Sequence, residues 1–157
     1  MCVSSASFSI LVNGVPSTFF RSGRGIRQGF PLSSFLFILS MEGLCRLFNK
    51  ARSDGLLLGV KVACGLAISL LIFVDDVIIL GRGSEAEWSL IKELLNMFCY
   101  ASSMSISYRK SMFRHNCSND QMTSLITNLF NIQADHIDNG MNYLGYHLKP
   151  NHYIMFN

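Results

Sequence analysis

Residues 70–80 read Leu-Leu-Ile-Phe-Val-Asp-Asp-Val-Ile-Ile-Leu, so two adjacent carboxylates interrupt nine apolar residues. A continuous apolar run is what a strand covered on both faces carries. Residues 70–74 and 77–80 therefore predict two strands, with the chain reversing between them at Asp75-Asp76. Two like charges held this close repel one another unless something neutralises them. A hard divalent cation does so, because Mg²⁺ takes one or two carboxylates together with substrate phosphates. Asp is also a common turn residue, and a solvent-exposed turn that binds nothing accounts for an isolated Asp-Asp pair as well.

The chain around this hairpin alternates between strand and helix patterns. Ser7 to Val12 and Val15 to Phe20 flank Asn13-Gly14, the strongest short signal for a hairpin; Pro16 assigns the second strand to an edge. Arg21 to Gly29 is a loop rich in glycine and arginine. Its glycines allow close approach of the backbone to a ligand, Gln28 both donates and accepts, and the loop runs into a helix N-terminus, where phosphate is favoured. A flexible loop before a helix fits the same residues. Pro31 opens that helix, which runs to about Arg52. With Glu42, Arg46, Asn49 and Lys50 as its polar stripe and Leu32, Phe35, Leu36, Leu39, Leu44 and Leu47 over most of the rest, it is expected to be largely buried.

Ser84 and Glu87 form an S-x-x-E capping box. The helix they start carries Trp88, Ile91, Leu94, Leu95 and Phe98 on one face. Ser105 to Arg114 reads as a strand. Ser118 and Gln121 make a second box, opening a helix to about Asn131, and Tyr143 to Leu148 reads as a last strand. The order ββ-α-βββ-α-β-α-β predicts an α+β domain, with an antiparallel sheet and helices packed on one face.

Composition narrows the class further. Half of the 157 residues are apolar and 15% are charged, which argues for a buried core rather than disorder. The net charge of +3 permits a nucleic-acid partner without requiring one. The five cysteines, at positions 2, 45, 64, 99 and 117, are too dispersed for a CxxC pair. Reduced thiols in an intracellular protein are expected, with no zinc site and no disulfide partner. The N-terminal twenty residues lack a basic segment, and the longest uncharged apolar stretch elsewhere, residues 62–74, is shorter than the ~20 residues a membrane helix needs. No membrane association is expected.

Taken in order, five segments resemble the reverse transcriptase of non-LTR, LINE-type retrotransposons, with plant elements the nearest likeness. RGIRQGFPLSSFLFILSMEGL (24–44) is similar to the family's RQG-x-PLSP-x-LF segment. LIFVDDVIIL (71–80) looks like its F-A-D-D hairpin, and SSMSISYRKS (102–111) like its SGL-x-IN-x-x-KS segment. YLGYHL (143–148) resembles its YLG segment, and CVSSASFSILVNGVP (2–16) the strand pair before the RQG loop. There are departures: Phe30 stands where an acidic or small polar residue is usual, Ser34 where proline is usual, Ser107 in place of asparagine and Val74 in place of alanine.

The resemblance implies that residues 1–157 form part of a polymerase palm, with 118–157 leading towards the thumb. It implies RNA template, DNA primer and dNTP as partners, and Mg²⁺, or Mn²⁺, as cofactor. Asp75 and Asp76 match the second and third catalytic, metal-binding carboxylates. Lys110 matches a lysine that contacts phosphate or donates a proton; a solvated lysine is the bland alternative. Arg27, Gln28 and Gly29 match the segment near nucleotide and template, and Tyr143, Leu144 and Gly145 the segment that grips the primer end, for which a structural hairpin is equally apt. The first carboxylate of the family belongs to a strand upstream of Cys2, so the chain alone is expected to be inactive. A non-catalytic relic, or a basic module binding nucleic acid through Arg21, Arg24, Arg27, Arg109, Lys110 and Arg114, is the competing expectation. An unrelated α+β domain would need five ordered matches by coincidence.

Overall fold

The computed structural model describes residues 7–21, 26, 29–63, 65–116 and 120–149. The chain divides into two compact units, Met1–Glu42 and Gly43–Asn157. The α+β class is as expected from the sequence.

In the first unit, β1 (Ser7–Phe8) pairs antiparallel with β4 (Phe20–Arg21), and β2 (Leu11–Val12) with β3 (Val15–Pro16). Asn13 and Gly14 have φ of 51° and 83°, the two positive values a type I′ turn demands. The Ser17 hydroxyl accepts from the Ile10 amide at 3.0 Å, and the Ser9 hydroxyl donates to the Ser17 carbonyl at 2.8 Å, joining the two strand pairs into one ribbon. None of residues 7–21 is buried.

Helix α1 (Pro31–Ser53) crosses the boundary between the units. The expectation of a largely buried helix holds only for its second half. Met41, Leu44, Phe48 and Ala51, spaced three and four apart, are buried, whereas Leu32, Phe35 and Leu39 are exposed and Leu36 and Leu47 lie between. The reason is local: the strands described in the first unit bury nothing of their own, and only the second unit supplies a core. By length and composition α1 is also apolar enough to cross a membrane, which the count of uncharged runs overlooked because Glu42 and Arg46 divide the helix.

The second unit begins with β5 (Val60–Ala63) paired to β6 (Leu66–Ile68), then β7 (Leu70–Phe73) paired to β8 (Asp76–Ile79), both antiparallel. Helix α2 (Glu85–Ser102) follows. Its predicted apolar face is its buried face: Trp88, Ile91, Leu94, Leu95 and Phe98 are all in the core. Trp88 meets Phe113 and Phe130 edge-on, with ring centroids 5.4 and 6.1 Å apart. Helix α3 (Asp120–Phe130) packs on α2, and the Lys92 ammonium of α2 donates to the Leu129 carbonyl, satisfying an acceptor at the end of α3. Ser118 of the expected second capping box lies outside the described residues.

Three expectations about the C-terminal half are corrected. Ser105 to Arg114 is not one strand: Tyr108–Lys110 forms a 3₁₀ turn, and only β9 (Met112–His115) is extended. β9 pairs in parallel with β10 (Gln133–His136), across α3, so not every pairing is antiparallel. The last strand is a hairpin, β11 (Met141–Tyr143) and β12 (Tyr146–Leu148). Among the described residues the strands form six separate two-stranded sheets, not one continuous sheet.

Candidate active site

The register of β7 and β8 pairs Leu70 with Ile79, Leu71 with Ile78, Ile72 with Val77 and Phe73 with Asp76. The two central turn residues are therefore Val74 and Asp75, and Asp76 is the first residue of β8 rather than part of the turn. Directly paired residues share a face, so Asp76 stands beside Phe73 on the side of Leu71 and Ile78. Val74 has φ of 52°, a left-handed conformation that is an outlier for a β-branched side chain. Positive φ at the first central residue alone is the pattern of a type II′ turn, whose first place normally takes glycine. Nothing in the residue pattern signals this strain, since valine is an ordinary strand residue.

Asp75 and Asp76 are both exposed, and no ion pair engages either of them among the described residues. Two adjacent hard-oxygen donors facing solvent suit a divalent cation that takes its remaining ligands from water or phosphate. Among the described residues no group of three or more His, Cys, Asp or Glu side chains gathers to hold a metal unaided.

The other end of this hairpin is built more firmly. The Leu80 amide donates to the Ser69 carbonyl at 2.9 Å, extending the ladder by one rung. Just beyond, Glu87 departs from its expected part in the capping box. The Ser84 hydroxyl does accept from the Glu87 amide at 3.2 Å. The Glu87 carboxylate, however, turns inward and is 4% exposed. Its Oε1 accepts from the amides of Leu58 and Gly59 at 3.1 and 3.2 Å, and its Oε2 from the amide of Arg82 at 2.7 Å. The Arg82 guanidinium donates through Nε to the Gly59 carbonyl at 2.9 Å. One carboxylate thus ties the residues before β5 to those after β8. Gly59 is needed there: its φ is 63°, and a Cβ would fall 2.6 Å from the Ile68 carbonyl oxygen. S-x-x-E was the sequence signal for this residue, but it pointed to a different partner.

Of the remaining sequence-predicted residues, Lys110 ends the 3₁₀ turn with an exposed side chain, and its amide donates to the Ser107 carbonyl at 2.9 Å. No ion pair joins it to Asp75 or Asp76. Tyr143 ends β11, and Leu144 and Gly145 are the central residues of the β11–β12 turn, with φ of 51° and 81°. Gly29, in the first unit, is exposed with φ of 78°; Arg27 and Gln28 lie outside the described residues. Arg114 is not available as a phosphate contact. It is half-buried and pairs with Asp135, whose Oδ1 also accepts from Asn139 at 2.6 Å and from the His136 amide at 2.8 Å. The hydrogen bond from Asn139, aided by the His136 amide and Arg114, holds the Asp135 carboxyl below its ordinary range.

A model of the reverse transcriptase (RNA-dependent DNA polymerase) family matches residues 2–148. The chain belongs to that family. It is also similar to an uncharacterized mitochondrial protein of Arabidopsis thaliana, with 39% identity over 79 residues. The match covers 50% of this chain and 60% of that relative, so the chain spans about three fifths of the relative's length.

Proposed function

We propose that this chain is part of the palm of a LINE-type RNA-directed DNA polymerase, in which Asp75 and Asp76 bind Mg²⁺, or Mn²⁺ in its place. The observation that carries the reading is the pair of exposed, unpaired carboxylates at a hairpin turn, within a chain of the reverse transcriptase family. Bound metal would supply charge neutralisation at the nucleotide's phosphates. Asp75, in the turn itself, is the direct ligand, and Asp76 completes the pair from the first position of β8. Lys110 contacts phosphate or donates a proton; Arg27, Gln28 and Gly29 lie near nucleotide and template; Tyr143, Leu144 and Gly145 grip the primer end. RNA template, DNA primer and dNTP are the substrates of the complete polymerase.

Residues 1–157 alone are proposed to be inactive. Two carboxylates leave the charge of the transferring phosphoryl group less compensated than three, and such electrostatic stabilisation is usually the largest catalytic term. In a primer-extension assay with an RNA template and Mg²⁺ or Mn²⁺, no extension is expected. Extension that disappears in Asp75→Asn would overturn the inactivity while supporting the carboxylate assignment. The alternative, a non-catalytic module binding nucleic acid, draws support from the exposure of Arg21, Arg109 and Lys110. It predicts affinity that falls steeply with salt, and it is removed if no binding is found at low salt.

A further inference from the structure

We infer that Glu87 is a positioning residue for the Asp75-Asp76 pair, holding the hairpin that carries them in its strained register. The inference rests on the metal-binding reading above.

The hairpin has a reason to slip. Its two strands pair only with one another among the described residues, and an isolated two-stranded hairpin is marginal in water. Its turn places Val74 at φ 52°, a conformation that persists only when the surroundings over-determine it. A turn centred one residue later would put Asp75 and Asp76 at the two central positions. Asp tolerates left-handed backbone better than valine does, so that turn relieves the strain. That turn, however, shifts the pairing by two residues, setting Ile72 opposite Ile79 instead of Val77, and Asp76 leaves the first rung of β8 for the turn, so the two carboxylates would no longer sit as they do here.

What opposes the slip lies at the far end. Four-residue strands at ~3.4 Å per residue put the tip roughly 14 Å from the base, so no group at the base touches the carboxylates. The base is fixed instead through backbone. Glu87 accepts from Leu58, Gly59 and Arg82, and Arg82 returns a bond to Gly59. The chain is thereby pinned immediately before β5 and after β8, so residues cannot be fed into or out of the strand block. Bonds from backbone N–H to a buried carboxylate are stronger than neutral ones. Glu87 is also anchored by α2, whose neighbouring Trp88 is locked between Phe113 and Phe130.

The test uses ¹⁵N-labelled protein of residues 1–157 and Mn²⁺ as the probe. In the unsubstituted chain, Mn²⁺ should broaden the amides of residues 73–77, and Asp75→Asn should abolish this. Glu87→Gln replaces one acceptor oxygen with a donor that faces backbone N–H groups. It should leave the α2 amide shifts in place, speed hydrogen exchange at Ile78 and Leu80, whose amides face β7, and weaken Mn²⁺ binding roughly tenfold, the change expected if about one molecule in ten keeps the binding register. Adding Val74→Gly to Glu87→Gln should restore much of the Mn²⁺ affinity. Ile126→Ala, a truncation in the core on α3, should lower global stability and leave Mn²⁺ binding by the folded chain unchanged, which separates loss of register from a general loss of stability. If Glu87→Gln does not fold, Arg82→Ala removes only the bond to Gly59 and should act in the same direction, more weakly. Wild-type exchange and Mn²⁺ affinity in a folded Glu87→Gln, or global unfolding of both variants, would overturn the inference. Persistence of the broadening in Asp75→Asn would instead sink the metal reading; the hairpin exchange rates would then still decide what Glu87 does.

Discussion

Val74 holds φ of 52° in the turn that presents Asp75. Two adjacent aspartates in an apolar run announced a reversal, but not which two residues would form its centre. The observed register puts valine where glycine is normally found. An L-residue in left-handed backbone costs about 1–2 kcal/mol, and the extra freedom glycine gains in the unfolded chain offsets part of any relief. Val74→Gly is therefore expected to raise stability by up to about 1 kcal/mol, measured by urea unfolding with m unchanged. A loss of more than that would mean that the valine side chain stabilises the tip in some way its 61% exposure does not suggest. Glu87 was legible only as a residue type at a spacing. The pattern S-x-x-E gives the acceptor, but the choice between a local amide and three amides elsewhere depends on tertiary placement.

At the level of elements, local signals were reliable and long-range pairings were not. Asn13-Gly14 specified its turn by itself, and the five apolar positions of α2 specified its buried face. The β9–β10 pair is different: its strands are separated by α3, they pair in parallel, and no turn sequence announces such a partner. Lys110 sat in the wrong element for a related reason. A polar segment with some alternation fits a strand, while the Ser107 carbonyl and the Lys110 amide closed it into a 3₁₀ turn instead. Beyond the ladder, β9 and β10 are joined by Asp135, with Arg114, Asn139 and the His136 amide around it, and by the edge-on rings of His115 and His136. Its carboxyl lies below its ordinary range in the folded chain. A depressed folded value contributes stability that is present above the unfolded carboxylate range, near pH ~3.9, and is lost as pH falls through the folded value. Acid unfolding followed by circular dichroism should therefore show a loss below about pH 4 that is shallower in Asp135→Asn. Identical slopes in the two proteins would remove Asp135 from the acid response.

For the chain as a whole, the buried residues are concentrated in the second of the two units. Half of all residues are apolar, yet Leu11, Val12, Val15 and Phe19 in the ribbon and Phe35, Ile38 and Leu39 in α1 are exposed. Composition counts apolar side chains without saying which of them find one another. The buried residues of the second unit come from segments far apart in sequence: Leu44, Phe48 and Leu57, the α2 stripe, and Ile126 and Phe130 of α3. Local opening free energies follow such differences, from near zero in segments with few buried apolar contacts up to the global value in the core. Amide hydrogen exchange by mass spectrometry should consequently divide the chain. Residues 7–21 should exchange within the earliest time points although their backbone is paired, because no buried side chain opposes their opening. Residues 88–98 of α2 should be the slowest, exchanging only through global unfolding, and added denaturant should speed them in proportion to the full m value. The second half of α1, anchored by Leu44, Phe48 and Ala51, should follow α2, while its first turns, carrying Phe35, Ile38 and Leu39 on the surface, should exchange faster. Uniform protection along α1 would show that its apolar N-terminal half is covered in solution, and would locate a contact that the exposure of those three side chains does not provide.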